Sequence, residues 1–98
     1  MNSATGTRVV RIHNRDGLNL RVAALLSQQA QRFPCAIRIS NATRRADAKS
    51  IWDLLGLIAL PGCDLLLEAD GPLSREALDS LATLVSHQLA EEGVQEVS

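Results

Sequence analysis

The chain has 98 residues, a formal net charge of −1 and few aromatic residues, with one Trp, one Phe and no Tyr. This length suits one domain around a single core, and the balanced charge and lack of stacking side chains argue against nucleic acid as a partner. No apolar run approaches the roughly 20 residues that span a membrane, and the N-terminus has no signal-peptide pattern, so we expect a cytoplasmic protein.

The N-terminal third predicts a strand followed by a capped helix. Residues 8–13 favour a strand with Val10 and Ile12 directed inward and Arg11 and His13 facing water. A tight turn and an amphipathic helix over about residues 20–32 follow. The helix carries an apolar stripe and is ended by Pro34; the stripe comprises Val22, Leu25, Leu26, Ala30 and Phe33.

The start of this helix is the first candidate site. Gly17 permits the turn, and Asn19 is a natural N-cap whose carboxamide oxygen accepts a hydrogen bond from the first turn. The remaining free amides and the helix dipole favour anions there. Arg21 lies in this first turn and is either a solvated surface residue or part of an anion-binding site with Asn19 and Leu20.

The middle of the chain predicts a hairpin and a short helix. Residues 36–40 form a period-2 strand with both isoleucines on one face, and a polar turn over residues 41–45 leads into a weaker strand. Ser50 is expected to cap a short helix over residues 51–58, in a pattern resembling a capping box with Asp53.

This short helix has more apolar residues than one buried stripe can hold. We expect Leu54, Leu57 and Ile58 to face the core. The other apolar side chains would then lie on another side of the helix and form an exposed docking patch. These side chains are Ile51, Trp52 and Leu55. The alternative is that the helix is fully buried.

The C-terminal third predicts a strand and a long helix. Residues 64–70 alternate, with Leu65, Leu67 and Ala69 inward. A helix follows from Ser74, its expected N-cap, to about Glu92. Its apolar stripe comprises Ala77, Leu78, Leu81, Leu84, Val85 and Leu89, and its solvated face comprises Ser80, Thr83, His87 and Glu91.

The element order β-α-β-β-α-β-α predicts an α+β fold, with three helices on one face of a four-stranded antiparallel sheet. We expect a domain over residues 8–92, a flexible tail over residues 1–7 and a second tail over residues 93–98. Cys35 and Cys63 belong to no metal or redox motif and are expected to be small buried thiols. No catalytic constellation or metal-ligand cluster is evident, so we expect no cofactor, no metal and no enzyme activity.

Two segments resemble HPr, the histidine-containing phosphocarrier family of the bacterial phosphoenolpyruvate-dependent sugar phosphotransferase system (PTS). Residues 17–23 read Gly-Leu-Asn-Leu-Arg-Val-Ala, where the family pattern is Gly-[Leu/Ile]-His-Ala-Arg-Pro-Ala. Residues 48–51 read Ala-Lys-Ser-Ile and resemble the family's regulatory serine motif at the family's spacing. Gly62 and Gly71 also match family positions. The resemblance implies an HPr-like open-faced β-sandwich and partners among PTS proteins, a regulator or a serine kinase.

The departures from the family pattern bear on function. The resemblance places Asn19 at the phosphohistidine position and Val22 at the usual proline, while Arg21 and Ser50 are retained. A carboxamide nitrogen has no available lone pair to attack phosphorus, so Asn19 is not expected to carry phosphate. Relatives without the histidine, such as the catabolite-repression HPr-like protein, are regulatory, and Ser50 would be the phosphorylated residue here.

The resemblance also implies a docking surface and leaves two alternatives. The surface comprises Leu20, Arg21, Ile51, Trp52 and Leu55, on two helix N-termini that the family is expected to place side by side. One alternative is an ACT-like domain that binds amino acids, because residues 14–18 followed by a helix resemble that family's opening. The other is a PTS phosphocarrier that uses another residue, for which His13 is the nearby candidate.

Overall fold

The computed structural model describes residues 5–13 and 15–88. The elements follow the predicted order, and they are β1 (Thr5–Arg11), α1 (Leu20–Ala30), β2 (Ala36–Ser40), β3 (Arg45–Asp47), α2 (Ile51–Gly56), β4 (Asp64–Asp70) and α3 (Ser74–Gln88). The sheet has the order β1-β4-β2-β3, and each neighbouring pair is antiparallel. The predicted α+β architecture is confirmed.

The core lies between the helices and one face of the sheet. In β4, the side chains of Leu65, Leu67 and Ala69 are fully buried, while the residues between them are half-buried or exposed. Ile37 and Ile39 of β2 are buried beside them, as the period-2 pattern predicts. Helix α3 packs on β1 and β4, and α1 packs between α2 and α3. Within residues 5–13 and 15–88, no helix covers the opposite face of the sheet, as in an open-faced sandwich.

The first strand begins earlier than the sequence indicates. Thr5 pairs with Asp70 in the β1–β4 register, and its hydroxyl donates to the Asp70 carboxylate at 3.0 Å. Residues 5–7, which the sequence assigns to a tail, therefore belong to the sheet. Ile12 lies just beyond β1 and is buried, because its N–H donates to Cys63 O at 3.0 Å and its carbonyl accepts from Gly62 N at 2.8 Å.

The two long helices differ from their predicted bounds. Helix α1 ends at Ala30, and tighter turns carry the chain on to Phe33, whose N–H donates to Ala30 O. At the start of α3, Leu73 has a φ of 63° and its carbonyl accepts from Ala77 N. This places the capping position at Leu73, so Ser74 is the first helical residue, buried at 3% exposure, and not the N-cap.

Ile58 is not in the core, contrary to the sequence interpretation. Helix α2 ends at Gly56, and Leu57 is its C-cap. Ile58 then adopts a φ of 51°, which is rare for a β-branched residue and breaks the helical spacing that would have turned its side chain inward. The side chain is 64% exposed, whereas Leu54 and Leu57 are buried as predicted.

Several smaller expectations have clear outcomes. Cys35 is buried, Cys63 is half-buried, and both are free thiols. His87 is exposed as expected, whereas Ser80 is half-buried because its hydroxyl accepts a hydrogen bond from the Gln29 side chain of α1. Leu89, Glu91, the C-terminal bound near Glu92 and both predicted tails apart from residues 5–7 lie outside the described residues.

Candidate functional site

The turn before α1 packs against the loop that follows α2. Gly17 has a φ of 67°, and a Cβ at this position would lie 2.3 Å from the carbonyl oxygen of Ala59. The next residue, Leu18, donates its N–H to the same oxygen at 3.1 Å. Both the backbone conformation and the close approach therefore require glycine at residue 17. The carbonyl of Ala59 anchors the start of α1, and no side-chain signal could have revealed it.

Asn19 caps α1 as predicted. Its backbone is extended, with φ −102° and ψ −179°, and its carboxamide oxygen accepts from Val22 N at 2.9 Å. The Asn19 carbonyl accepts the first intrahelical bond, from Ala23 N, also at 2.9 Å. The oxygen end of the carboxamide is thus engaged with the helix, and the side chain is half-buried. One orphan amide of the first turn is satisfied internally.

Leu20 and Arg21 form the outer part of this first turn. The Leu20 side chain is 61% exposed, and Arg21 is also exposed. The first turn of α1 contains no acidic residue. Arg21 is therefore the charged residue that this turn presents, at the positive end of the helix dipole, where an anion is favoured.

Ser50 caps α2, although the reciprocal half of the capping box is not formed. The Ser50 hydroxyl accepts from Asp53 N at 3.2 Å. The Asp53 carboxylate does not return to Ser50 N; it accepts from Asp47 N at 3.3 Å, while Ser50 N donates to Asp47 O at 3.0 Å. The Asp47 carboxylate accepts from Lys49 N at 2.9 Å. The carboxylates of Asp47 and Asp53 thus each accept from a backbone N–H in the segment that leads into α2.

The two candidate helix N-termini do not lie side by side. The Gln31 side chain, just beyond α1, donates to Lys49 O at 3.1 Å, and Lys49 Nζ donates to Phe33 O at 2.8 Å. The start of α2 therefore lies beside the end of α1, whereas Ala59 beyond the end of α2 contacts the start of α1. The two helices run in opposite directions, so that part of the sequence interpretation is wrong.

The apolar side chains of α2 differ in burial. Trp52 is 79% exposed, which excludes the alternative of a fully buried helix. Ile51 and Leu55 are half-buried and pack against the core. With α2 antiparallel to α1, Leu55 is one turn closer than Ile51 to the end of α2 that approaches Leu20 and Arg21. A shared surface along the helix pair is therefore compatible with the antiparallel arrangement.

The pKa values of Arg11 and Asp64 are shifted, and both residues lie on the sheet away from these helices. Arg11 Nε donates to the Asp64 carboxylate at 2.8 Å across the β1–β4 pair. This hydrogen bond, and then the charge attraction, lowers the pKa of Asp64 below its usual value. It also raises the pKa of Arg11. Both groups are on the surface, so their energetic weight is small.

The described residues contain no group of three or more His, Cys, Asp or Glu side chains arranged to hold a metal ion. Among the helices described, none is both long and apolar enough to cross a membrane.

Comparison with known proteins identifies the family. The profile of the PTS HPr component phosphorylation site family matches residues 7–87. The chain belongs to the HPr family. It is 39% identical to the phosphocarrier protein HPr of Cupriavidus necator over 80 residues, covering 82% of this chain and 90% of that protein. It is 34% identical to the HPr-like protein Crh of Bacillus subtilis, covering 82% and 94% respectively.

The solved structures agree with this assignment. The chain is similar to the crystal structure of the phosphocarrier protein HPr from Bacillus anthracis str. Ames, with a TM-score of 0.76 and 32% identity. The similarity covers 83% of this chain and 96% of that one. HPr is a phosphocarrier protein and not an enzyme, so membership of the family supports the expectation of no enzyme activity. The family match also overturns the ACT-like alternative.

Proposed function

We propose that this chain is a regulatory HPr-like protein of the PTS that docks on partner proteins without carrying phosphate on a histidine. The observation that carries the proposal is the role of Asn19, whose carboxamide oxygen caps α1 through Val22 N at 2.9 Å. By resemblance, Asn19 stands where the family has its phosphorylated histidine. The 34% identity to the HPr-like protein Crh supports a regulatory assignment.

The chemistry of the amide excludes Asn19 as a phosphoryl acceptor. The lone pair of a carboxamide nitrogen is delocalised into the carbonyl, whereas a neutral imidazole keeps one nitrogen lone pair free for attack on phosphorus. The features that would favour a phosphoryl group, which are the positive end of the α1 dipole and the Arg21 guanidinium, are nevertheless retained. Asn19, Leu20 and Arg21 thus form an anion-binding site that lacks its nucleophile.

The proposed docking surface comprises Leu20, Arg21, Ile51, Trp52 and Leu55. Two of these side chains, Leu20 and Trp52, are large, apolar and more than half exposed. A tryptophan that contributes little to a core is typical of the anchor residues of protein interfaces. The partners would be PTS proteins, a regulator or a serine kinase, which places the protein in the cytoplasm.

Ser50 is the proposed regulatory phosphorylation site. Its hydroxyl is half-buried and accepts from Asp53 N at the start of α2. A phosphate of about −2 charge would gain from the amides and the dipole at this helix start. It would also be repelled by the nearby carboxylates of Asp47 and Asp53, which oppose part of this gain.

The test is phosphoryl transfer to variants at residue 19. With phosphoenolpyruvate and the first enzyme of the PTS, the wild type is expected to take up no acid-labile phosphate. Asn19→His is expected to take it up, because an imidazole then lies at the N-cap beside Arg21. Asn19→Gln is the matched control, since it keeps an amide and adds no nucleophile.

Val22 makes the transfer test sharper. Its N–H donates to the Asn19 side chain and would lose this acceptor in Asn19→His. Proline at residue 22 has no N–H to leave unsatisfied and fixes φ in the first turn of the helix. The double variant Asn19→His with Val22→Pro is therefore expected to be labelled faster than Asn19→His alone. Labelling of the wild type would overturn the proposal. Labelling that is then lost in His13→Ala would identify a phosphocarrier that uses His13.

A further inference from the structure

Arg44 and Arg45 differ from most other arginines of the sheet. Both side chains are exposed where the β2–β3 hairpin turns back, and neither makes a hydrogen bond or ion pair to the described part of the chain. Elsewhere on the sheet, Arg8 pairs with Asp79, Arg11 with Asp64 and Arg38 with Glu68. Two adjacent guanidinium groups thus form no ion pair with the residues that the structure describes.

The two arginines share a cleft with the exposed tryptophan. This cleft has a volume of about 310 Å³ and is lined by Arg44, Arg45, Trp52, Asp53 and Gly56. A second cleft of about 370 Å³ lies along the same two arginines and reaches Leu66 and Glu68 on the open face of the sheet. The arginines therefore separate two adjoining depressions, and the tryptophan borders the first.

The hairpin turn holds these arginines in place. The Asn41 carboxamide oxygen accepts from Thr43 N at 3.0 Å and from Arg44 N at 2.8 Å. Its nitrogen donates to Leu57 O at the end of α2, at 2.9 Å. One side chain thus orders the turn and ties it to the helix that carries Trp52. A site ordered before binding loses less conformational freedom when a partner arrives.

We propose that Arg44, Arg45 and Trp52, named here the arginine–tryptophan surface, bind an acidic segment of a partner protein. The proposal deepens the docking role of Trp52 and rests on that proposed function. Charge complementarity supports an acidic occupant, since arginine forms paired hydrogen bonds with carboxylates and is enriched with tryptophan at interface centres. A continuous polyanion such as nucleic acid is disfavoured, because the chain has a formal net charge of −1 and offers no overall excess of basic charge.

The chain contains a built-in reporter for this surface. Trp52 is the single tryptophan and there is no tyrosine, so the intrinsic emission reports on this cleft alone. The probe is a short synthetic peptide of alternating Glu and Leu, titrated into the full chain. We expect a shift of emission to shorter wavelength and protection from acrylamide quenching, both weakened by salt. The matching peptide of alternating Lys and Leu is expected to give neither effect.

Charge-reversal variants locate the binding. Arg44→Glu with Arg45→Glu is expected to weaken peptide binding about tenfold or more. The control is Arg32→Glu with Arg75→Glu, which changes the net charge by the same amount. Both arginines are exposed, and neither side chain has a partner in the described chain. This control is expected to change peptide binding less than about twofold. Gly56→Glu is a further variant, because a Cβ there meets nothing within 4 Å. It should also weaken binding while the circular dichroism spectrum stays native.

Several results would overturn the proposal. Equal loss of affinity in both double variants would show nonspecific charge attraction. The same emission change with inorganic phosphate alone would show a simple anion site, and tighter binding of a single-stranded oligonucleotide would assign the surface to nucleic acid. If Trp52→Ala weakens binding of a PTS partner and the Arg44 and Arg45 double variant binds the acidic peptide normally, the docking role of Trp52 stands and this proposal alone fails.

Discussion

At the scale of single residues, two backbone interactions set the geometry of the candidate site. Asn19 offers its carboxamide oxygen to Val22 N, which orders the first turn of α1. Gly17 allows the preceding turn to lie against the Ala59 carbonyl. An alanine side chain could satisfy neither requirement, because it accepts no hydrogen bond and its Cβ would occupy the position of the carbonyl. Asn19 and Gly17 therefore fix the first turn of α1 and its position against the loop after α2.

Gly17→Ala is predicted to lower the free energy of unfolding by about 3 kcal/mol or more. The new Cβ would lie 2.3 Å from a backbone oxygen, in addition to the strain of a positive φ. Gly62→Ala is the control, because its φ is 87° but no atom lies within 4 Å, so strain alone should cost about 1 kcal/mol. Urea unfolding measures both, and equal costs would contradict the role of the Ala59 contact.

The Arg11–Asp64 pair predicts a specific pH dependence. Because the pKa of Asp64 is lowered in the folded state, its stabilising contribution is present above the ordinary value of 3.8 and is lost as pH falls through the folded value. Arg11→Gln should return the pKa of Asp64 towards its ordinary value. The stability difference between wild type and variant should then shrink in acid.

An NMR titration of the Asp64 carboxyl carbon measures this shift directly. Arg38→Gln is a suitable control, since Arg38 lies on the same sheet and is 3.8 Å from Glu68 instead. An ordinary titration of Asp64 in the wild type would show that the pair is not formed in solution.

At the scale of elements, α2 depends on its surroundings. A helix of six residues is far too short to be stable alone, since helix nucleation is costly. It is held by the buried Leu54, by the Ser50 cap and by the Asn41 side chain at its end. Its exposed residues can therefore vary for binding while these three contacts keep the helix in place.

Ser50→Ala is predicted to lower the free energy of unfolding by about 1 kcal/mol, because the Asp53 amide loses its acceptor. Ser50→Thr should keep most of the stability, since threonine also caps helices. Phosphorylation of Ser50 should preserve or strengthen α2, as the phosphate oxygens replace the hydroxyl as acceptors. Amide hydrogen exchange of α2 measures each effect, and faster exchange after phosphorylation would contradict the prediction.

At the scale of the whole molecule, the buried core and the candidate binding residues are largely separate. The helices cover one face of the sheet, and the buried residues of α1, α2, α3, β2 and β4 form a single cluster. The candidate binding residues lie outside this cluster on α1, α2 and the β2–β3 turn. The exposed side chain of Trp52 adds little to this core, so its contribution to binding can be measured separately from stability.

The pair Trp52→Ala and Leu54→Ala tests this separation. Trp52→Ala should change the free energy of unfolding by less than about 1 kcal/mol, because the side chain is 79% exposed, and should weaken partner binding by about 2 kcal/mol or more. Leu54→Ala, two residues along the same helix, should cost about 3 kcal/mol of stability because Leu54 is fully buried. Denaturation followed by circular dichroism should be used for both. A loss of several kcal/mol in Trp52→Ala would show that it belongs to the core.

The sequence by itself determined the order of the elements, the inward faces of the strands and both helix caps at Asn19 and Ser50. These features depend on periodicity and on hydrogen bonds between residues close in the chain, which a local pattern records. The tertiary structure alone decided that Ile58 turns outward and that Ala59 anchors Gly17. It also decided that α1 and α2 are antiparallel and that the arginine–tryptophan surface is assembled. Each of these features depends on contacts between segments that are distant in the chain. Many of these contacts are made by backbone atoms, which are the same in every residue and therefore leave no pattern in the sequence.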